Sequence, residues 1–170
     1  MNTGPAPSGL WRLAAACLLA GLLAACASPA FEHPGAGRAD VVARLGTPTR
    51  TGPLEGGGER LLYSAQPSGR TVYHLDFDAS ARLVRVDQVL TLARLQAIPV
   101  NQWTVIDVQR AFGPPAIVER VATFDGDVWT YRFLDDFNNP RFAHIHIDRS
   151  GVVRQLLFTD ELPRGDDARN

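Results

Sequence analysis

The chain has 170 residues, with 17 Lys+Arg against 18 Asp+Glu and a formal charge of −1; that balance excludes a strongly basic nucleic-acid binder and a highly charged disordered chain. Apolar residues make up 45% and charged residues 21%, which is ordinary for a globular protein. All 17 basic residues are arginine, so every mechanism that needs a lysine amine, from a Schiff base to a P-loop, is closed.

Residues 1–12 carry one positive charge, Arg12, and the apolar run Leu13 to Ala25 follows. A charged start, a short apolar segment and small residues at its end read as a secretory signal peptide over 1–25. The run is well short of the roughly 20 residues that cross a bilayer core. Its end, Leu23-Ala24-Ala25-Cys26, resembles the lipobox of bacterial lipoproteins. The resemblance implies cleavage before Cys26, a diacylglyceryl thioether on its sulfur, and an acyl (palmitate-type) chain on its new amine. By the same resemblance, Ala27 rather than Asp after the cysteine implies export to the outer membrane of a Gram-negative envelope. Three acyl chains at roughly 0.8 kcal/mol per buried methylene make a permanent anchor, where one chain is marginal. With Cys17 in the removed segment and Cys26 lipidated, the mature chain is expected to hold no disulfide, thiolate metal site or cysteine nucleophile. Its length is enough to bury roughly 68–70% of the unfolded-chain surface.

Residues 26–37, with Pro29 and Pro34, read as a lipidated linker. Asp40–Pro48 (DVVARLGTP) then reads as a short helix stopped by Gly46 and Pro48. After the loop Glu55–Glu59, strands are expected at Arg60–Ser64, Thr71–Phe77 and Arg82–Leu90. Leu90–Ala97 reads as a short companion helix broken before Pro99. Thr104 with Asp107 three residues on marks a helix start, and Val105, Val108 and Phe112 fall on one face. Gly113, Pro114 and Pro115 end that helix. Further strands are expected at Ile117–Phe124, Val128–Phe133, Arg141–Ile147 and Val152–Phe158, with turns at Asp125–Asp127 and Asp148–Gly151.

Two blocks recur in the same order. Asp40–Pro48 matches Asp107–Pro115 (DVQRAFGPP) 67 residues downstream, and His74–Ala81 matches His144–Gly151 70 residues downstream. The chain therefore reads as a duplication, with repeats at 38–90 and 91–160 and a polar tail at 161–170. The expected fold class is α+β: two tandem repeats, each of a short helix or helices packed on an antiparallel β-meander. The helix stops at Gly46/Pro48 and Gly113/Pro115, the Trp129-x-Tyr131 strand and the Asp-x-x-Gly hairpin resemble the SmpA/OmlA (BamE-like) domain. The pairing of two such units is similar in architecture to the β-lactamase inhibitory proteins. The resemblance implies an envelope lipoprotein with a role beside outer-membrane protein assembly.

Few residues carry chemistry. His144 and His146 share one strand face, and His74 and Asp76 occupy the matching positions, so a joined sheet would gather all four on one polar surface. His-x-His is a spacing that metals use, but no third ligand follows, and a solvated sheet face is the plainer reading. Trp129, Tyr131 and Phe133 share a face, as do Tyr73, Leu75 and Phe77. They read as core, with a concave aromatic binding surface as the alternative. Glu55–Glu59 lacks the lysine and helix start of a phosphate cradle. Arg164-Gly165-Asp166 is a lone tripeptide, Asp135-Asp136 and Asp160-Glu161 lack the spacing of a calcium loop, and no serine sits in a nucleophile elbow.

The expectation is a noncatalytic outer-membrane lipoprotein without cofactor or metal, held to the membrane by its lipid, facing the periplasm. Its partner would be a periplasmic or outer-membrane protein, not nucleic acid. The alternative is a periplasmic inhibitor or sensor that takes one enzyme or small ligand on a concave sheet face.

Overall fold

A computed structural model describes residues 27–161. The signal segment, Cys26 and all but the first residue of the tail lie outside the described residues. A 3-10 turn at Pro29–Phe31 leads into α1 (Arg38–Leu45), then β1 (Arg50–Pro53), β2 (Glu59–Ser64), β3 (Val72–Phe77) and β4 (Leu83–Gln88). Two helices follow, α2 (Leu92–Gln96) and α3 (Val105–Phe112), and then β5 (Ile117–Glu119), β6 (Gly126–Leu134), β7 (Pro140–Asp148) and β8 (Val153–Asp160).

This corrects the expected fold class. The described residues are mostly β, two separate four-stranded antiparallel sheets in the orders β1-β2-β3-β4 and β5-β6-β7-β8. The helices are small, with 8, 5 and 8 residues. They do not form one helical layer per repeat. Their brevity has a local cause: α1 and α3 end on Gly46 (φ 80°, ψ −166°) and Gly113 (φ 71°, ψ −158°). That conformation, positive φ with extended ψ, is a region reserved for glycine. At Gly113 a Cβ would also meet Leu62 Cδ2 at 3.0 Å.

The helices are also placed differently in the two halves. Val41 of α1 packs with Leu61, Leu75, Phe77 and Leu83 on one face of the first sheet. The larger core joins Leu62 and Val72, on the other face of that sheet, to Leu95, Val108 and Phe112 of α2 and α3 and to Trp129, Tyr131, Phe133 and Ile145 of the second sheet. The α2–α3 segment is thus the filling between the two sheets.

The loop expected to be a linker is packed onto the body. Glu32 holds Arg44 through two hydrogen bonds (3.1 and 2.5 Å), and residues 35–38 bond to the turn before β4: Gly35 N to Leu83 O (2.7 Å), Leu83 N to Ala36 O (2.9 Å) and Arg38 N to Ala81 O (3.0 Å). Ahead of α3, Asn101 N to Val153 O (2.8 Å), Val153 N to Trp103 O (2.9 Å) and Val105 N to Gly151 O (2.8 Å) do the same job. Thr104 N and Oγ1 both donate to Asp107 Oδ2 (2.9 and 2.7 Å), and the Thr104 backbone bond holds the Asp107 carboxyl below its ordinary range. Another expectation fails at Asp125–Asp127. The strand from Ile117 stops at Glu119, and Gly126 already belongs to β6, opposite Asp148. A Cβ at Gly126 would lie 2.1 Å from the Ile147 carbonyl oxygen, so the glycine serves close approach of two strands and not a tight hairpin turn.

One side chain stands in for a strand. Gln66, in the β2–β3 loop, donates from Nε2 to Arg132 O (2.7 Å) and accepts at Oε1 from Arg132 N (3.2 Å). Its amide thereby completes the β6 edge beyond the short β5 and ties the two sheets together. Arg132 and Arg70 also converge on the carboxylate of Glu161. We expect Gln66→Leu, which orphans both backbone groups, to cost about 1–3 kcal/mol. Chemical denaturation measures this, and the Arg132 amide should exchange faster with deuterium than in the parent.

Candidate functional site

Strand register decides what the first sheet presents to α2 and α3. On the inward face of the first sheet the cross-strand row Leu62, His74, Asp87 lies beside the row Arg60, Asp76, Arg85. Opposite them stand Arg94 of α2, Trp103 of the connecting loop, and Asp107, Arg110 and Ala111 of α3. All of these but Leu62 and Asp76 line a charged cleft of about 460 Å³. An adjoining, more apolar compartment of about 220 Å³ adds Val89, Ala97 and Phe112. His74, Arg94, Trp103 and Ala111 border both spaces. Trp103 and Phe112 pack with ring centroids 6.4 Å apart.

The cleft has a surplus of cations. Arg60 grips Asp76 with Nε and Nη2 (2.6 and 2.8 Å). Arg85 and Arg94 share one oxygen of Asp87 (2.6 and 2.5 Å), and Arg110 reaches Asp107 at 3.2 Å. Four guanidiniums therefore face three carboxylates in a chain whose formal charge is −1. At their base His74 is 6% exposed, and its Nε2 is enclosed without a hydrogen-bond partner among the described residues. Burial, then the nearby Arg60 cation, lowers its pKa to about 4, against the opposing pull of the Ala111 carbonyl and Asp76. The imidazole is neutral near pH 7.

The four residues expected on one polar surface do not meet. The His74–Asp76 face of the first sheet looks into the molecule because α2 and α3 cover it. The His144–His146 face of the second sheet looks out, since Trp129, Tyr131, Ala143 and Ile145 take the opposite, core-facing side. Both ring nitrogens of His144 are already bonded, Nδ1 with Thr130 Oγ1 and Nε2 with Thr159 Oγ1, each at 2.9 Å. His146 lies edge-on to Phe124 at 4.9 Å. Burial lowers the pKa of both. Among the described residues no group of three or more His, Cys, Asp or Glu could hold a metal ion.

The remaining sequence-derived residues are structural. Trp129 and Tyr131 lie in the core, and Tyr131 donates its hydroxyl hydrogen to Gly113 O (2.7 Å). Tyr63 makes the corresponding bond to Gly46 O (3.1 Å) in the first half, exposed to solvent. Ser80 and Ser150 serve their turns, each donating its backbone N–H to Asp78 or Asp148 (2.9 Å). Cys26 lies outside the described residues.

A larger cavity of about 600 Å³ opens beside Phe124, Trp129 and Ile147, but its arginines are matched by carboxylates, Arg120 by Asp127 (2.9 Å) and Arg149 by Asp125 (2.5 Å). No unpartnered buried side-chain atom lines it among the described residues. The smaller cleft has the stronger chemistry. Sequence reasoning missed it: the arginines come from four elements and Trp103 from a connecting loop, and only the alternation of charge along Arg85-x-Asp87 and His74-x-Asp76 hinted at a shared polar face.

No protein-family model matches the chain, and no curated protein matches it. Among solved structures it is similar to a DUF4309 family protein (YjgB) from Bacillus subtilis, at 19% identity over 74% of this chain and 79% of that one, with a TM-score of 0.31. It is also similar to an extracellular protein containing an SCP domain from Bacillus anthracis, at 14% identity over 76% of this chain and 50% of that one, with a TM-score of 0.28. Neither likeness assigns this chain a family or an activity.

Proposed function

We propose that this chain is a noncatalytic lipoprotein of the SmpA/OmlA (BamE-like) kind, anchored in the outer membrane through Cys26. Its body would face the periplasm as a protein-binding or envelope-scaffolding module. The observation that carries the reading is the Leu23–Cys26 lipobox at the end of a short apolar run. Its consequence is mechanical. The chain is packed from the Ser28-capped turn at Pro29–Phe31 onward, so a lipid on Cys26 would hold the body against the bilayer surface with only a residue or two of slack, at about 3.5 Å per extended residue. Phe31, 72% exposed, would then sit at the headgroup level, where an aromatic ring is well placed. Among the described residues no helix is long and apolar enough to cross a membrane.

The second reading, a periplasmic sensor of a small ligand, is favoured by one observation: a concave, partly apolar cleft of ligand size between the first sheet and the α2–α3 segment. Ligand sites commonly combine apolar walls with a few convergent polar groups in this way.

The anchor is tested by metabolic labelling with an alkyne analogue of palmitate. The parent should incorporate label and sediment with outer membranes. Cys26→Ala should lose both while its thermal midpoint stays unchanged, because residue 26 precedes the packed body. Label retained in Cys26→Ala would end the lipoprotein reading, and crosslinking in intact envelopes that recovers no protein partner would end the scaffolding role.

A further inference from the structure

We infer that the cleft between the first sheet and the α2–α3 segment is a binding site for a small aromatic carboxylate, its ring over Trp103 in the apolar compartment and its carboxylate among Arg60, Arg85, Arg94 and Arg110. Three observations converge on this. The first is charge: four guanidiniums against three carboxylates leave a surplus of one, which a monoanion would neutralise. Arg85, Arg94 and Arg110 each spend a single N–H on their aspartate, so several donors remain free to grip a planar carboxylate, the shape a guanidinium fork matches best.

The second is shape. The inner compartment measures about 220 Å³; an apolar cavity of about 150 Å³ suffices to hold benzene. Trp103 and Phe112 supply faces and edges for a ring, in the offset or edge-on contacts that aromatic pairs prefer. A long acyl chain would overrun this space, and a bare inorganic anion would leave it empty. The third is His74. Its ring borders both the charged mouth and the apolar compartment, so a ligand that spans the two packs against it, while Nε2 itself stays enclosed behind the ring surface. The site does not depend on the lipid anchor, and failure of either proposal leaves the other standing.

The test is isothermal titration calorimetry on the full chain in lipid nanodiscs, with empty nanodiscs as the blank. Phenylacetate is the probe; phenylacetamide, acetate and inorganic phosphate are the comparisons. One saturable site for phenylacetate is expected, with each comparison weaker by about tenfold or more. Arg94→Gln and Trp103→Leu should each weaken phenylacetate by about tenfold or more. Arg120→Gln, which lines the other cavity, should not. Arg85 remains on Asp87 when Arg94 is neutralised, so that variant keeps the local pairing; Arg110→Gln substitutes if its thermal melt shows lost fold. Absence of saturable phenylacetate binding overturns the proposal. So does equal binding of phenylacetamide or acetate, or affinity unchanged in Arg94→Gln and Arg110→Gln.

Discussion

Tyr131→Ala should be among the most damaging single substitutions in this protein, with a loss of about 3–5 kcal/mol in chemical denaturation. Tyr131 is fully buried and lies edge-on to Phe112 at 5.9 Å, in the core that joins α2 and α3 to both sheets. Deleting the ring opens a cavity where three elements meet. It also removes the only donor shown for the Gly113 carbonyl among the described residues, at the point where the glycine conformation turns the chain out of α3. Tyr131→Phe separates the two contributions. It keeps the ring and orphans the carbonyl, for about 1–3 kcal/mol. Tyr63→Phe removes the corresponding bond to Gly46, but water replaces it there, and the loss should stay below about 0.5 kcal/mol. Equal losses for the two phenylalanine variants would mean that burial does not govern this bond.

Stability should fall steeply on mild acidification, through His74. Folding holds this imidazole neutral, with a pKa lowered from 6.5 to about 4. Below pH 6.5 the unfolded chain binds a proton that the folded chain refuses, so stability is complete above that pH and drains away as the pH drops toward 4. A shift of that size amounts to roughly 3 kcal/mol over the window. The groups facing the ring are Arg60 and Arg94, which oppose its charge, and Asp76 with the Ala111 carbonyl, which favour it. His144 and His146 are shifted in the same direction by burial and add to the slope, whereas Asp107 and Asp148, held below the ordinary carboxylate range, act at lower pH. The difference between parent and His74→Leu isolates one residue. Denaturation at a series of pH values from 7 to 4 should give a shallower slope for the variant, and identical slopes would refute a buried neutral His74.

Much of the local structure was legible. The apolar run Leu61 to Tyr63, the alternation of Val72 to Phe77, the Asp148 turn and the helix start at Thr104–Asp107 all depend on residues within a few positions of each other. The register of β3 on β4 and β7 on β8 follows from such turns, down to the matching irregularities at Asp76/Phe77 and His146/Ile147. The fold class was misjudged for a reason of the opposite kind. Short amphipathic segments announce that a helix will form, not which sheet face it will cover. Here α1 covers the outer face of the first sheet while α2 and α3 cover its inner face and that of the second.

The same placement explains the histidines. His74 and His144 stand at equivalent points of similar sequence blocks, yet one is enclosed beside four arginines and the other is bonded to two threonines on an outward face. Gln66 gave no local signal at all, because its role depends on a backbone 66 residues away.

From sequence alone came most of the elements, the helix stops at Gly46 and Gly113 and the Asp148 turn, since these depend on propensities, capping groups and turn residues that act over a few residues; β1 and the end of β5 did not. Which faces are buried, where the surplus charge gathers and which histidine is enclosed were settled only by tertiary packing. Burial and electrostatic environment are properties of surfaces brought together across the chain, and two similar strands acquire different chemistry once different partners lie against them.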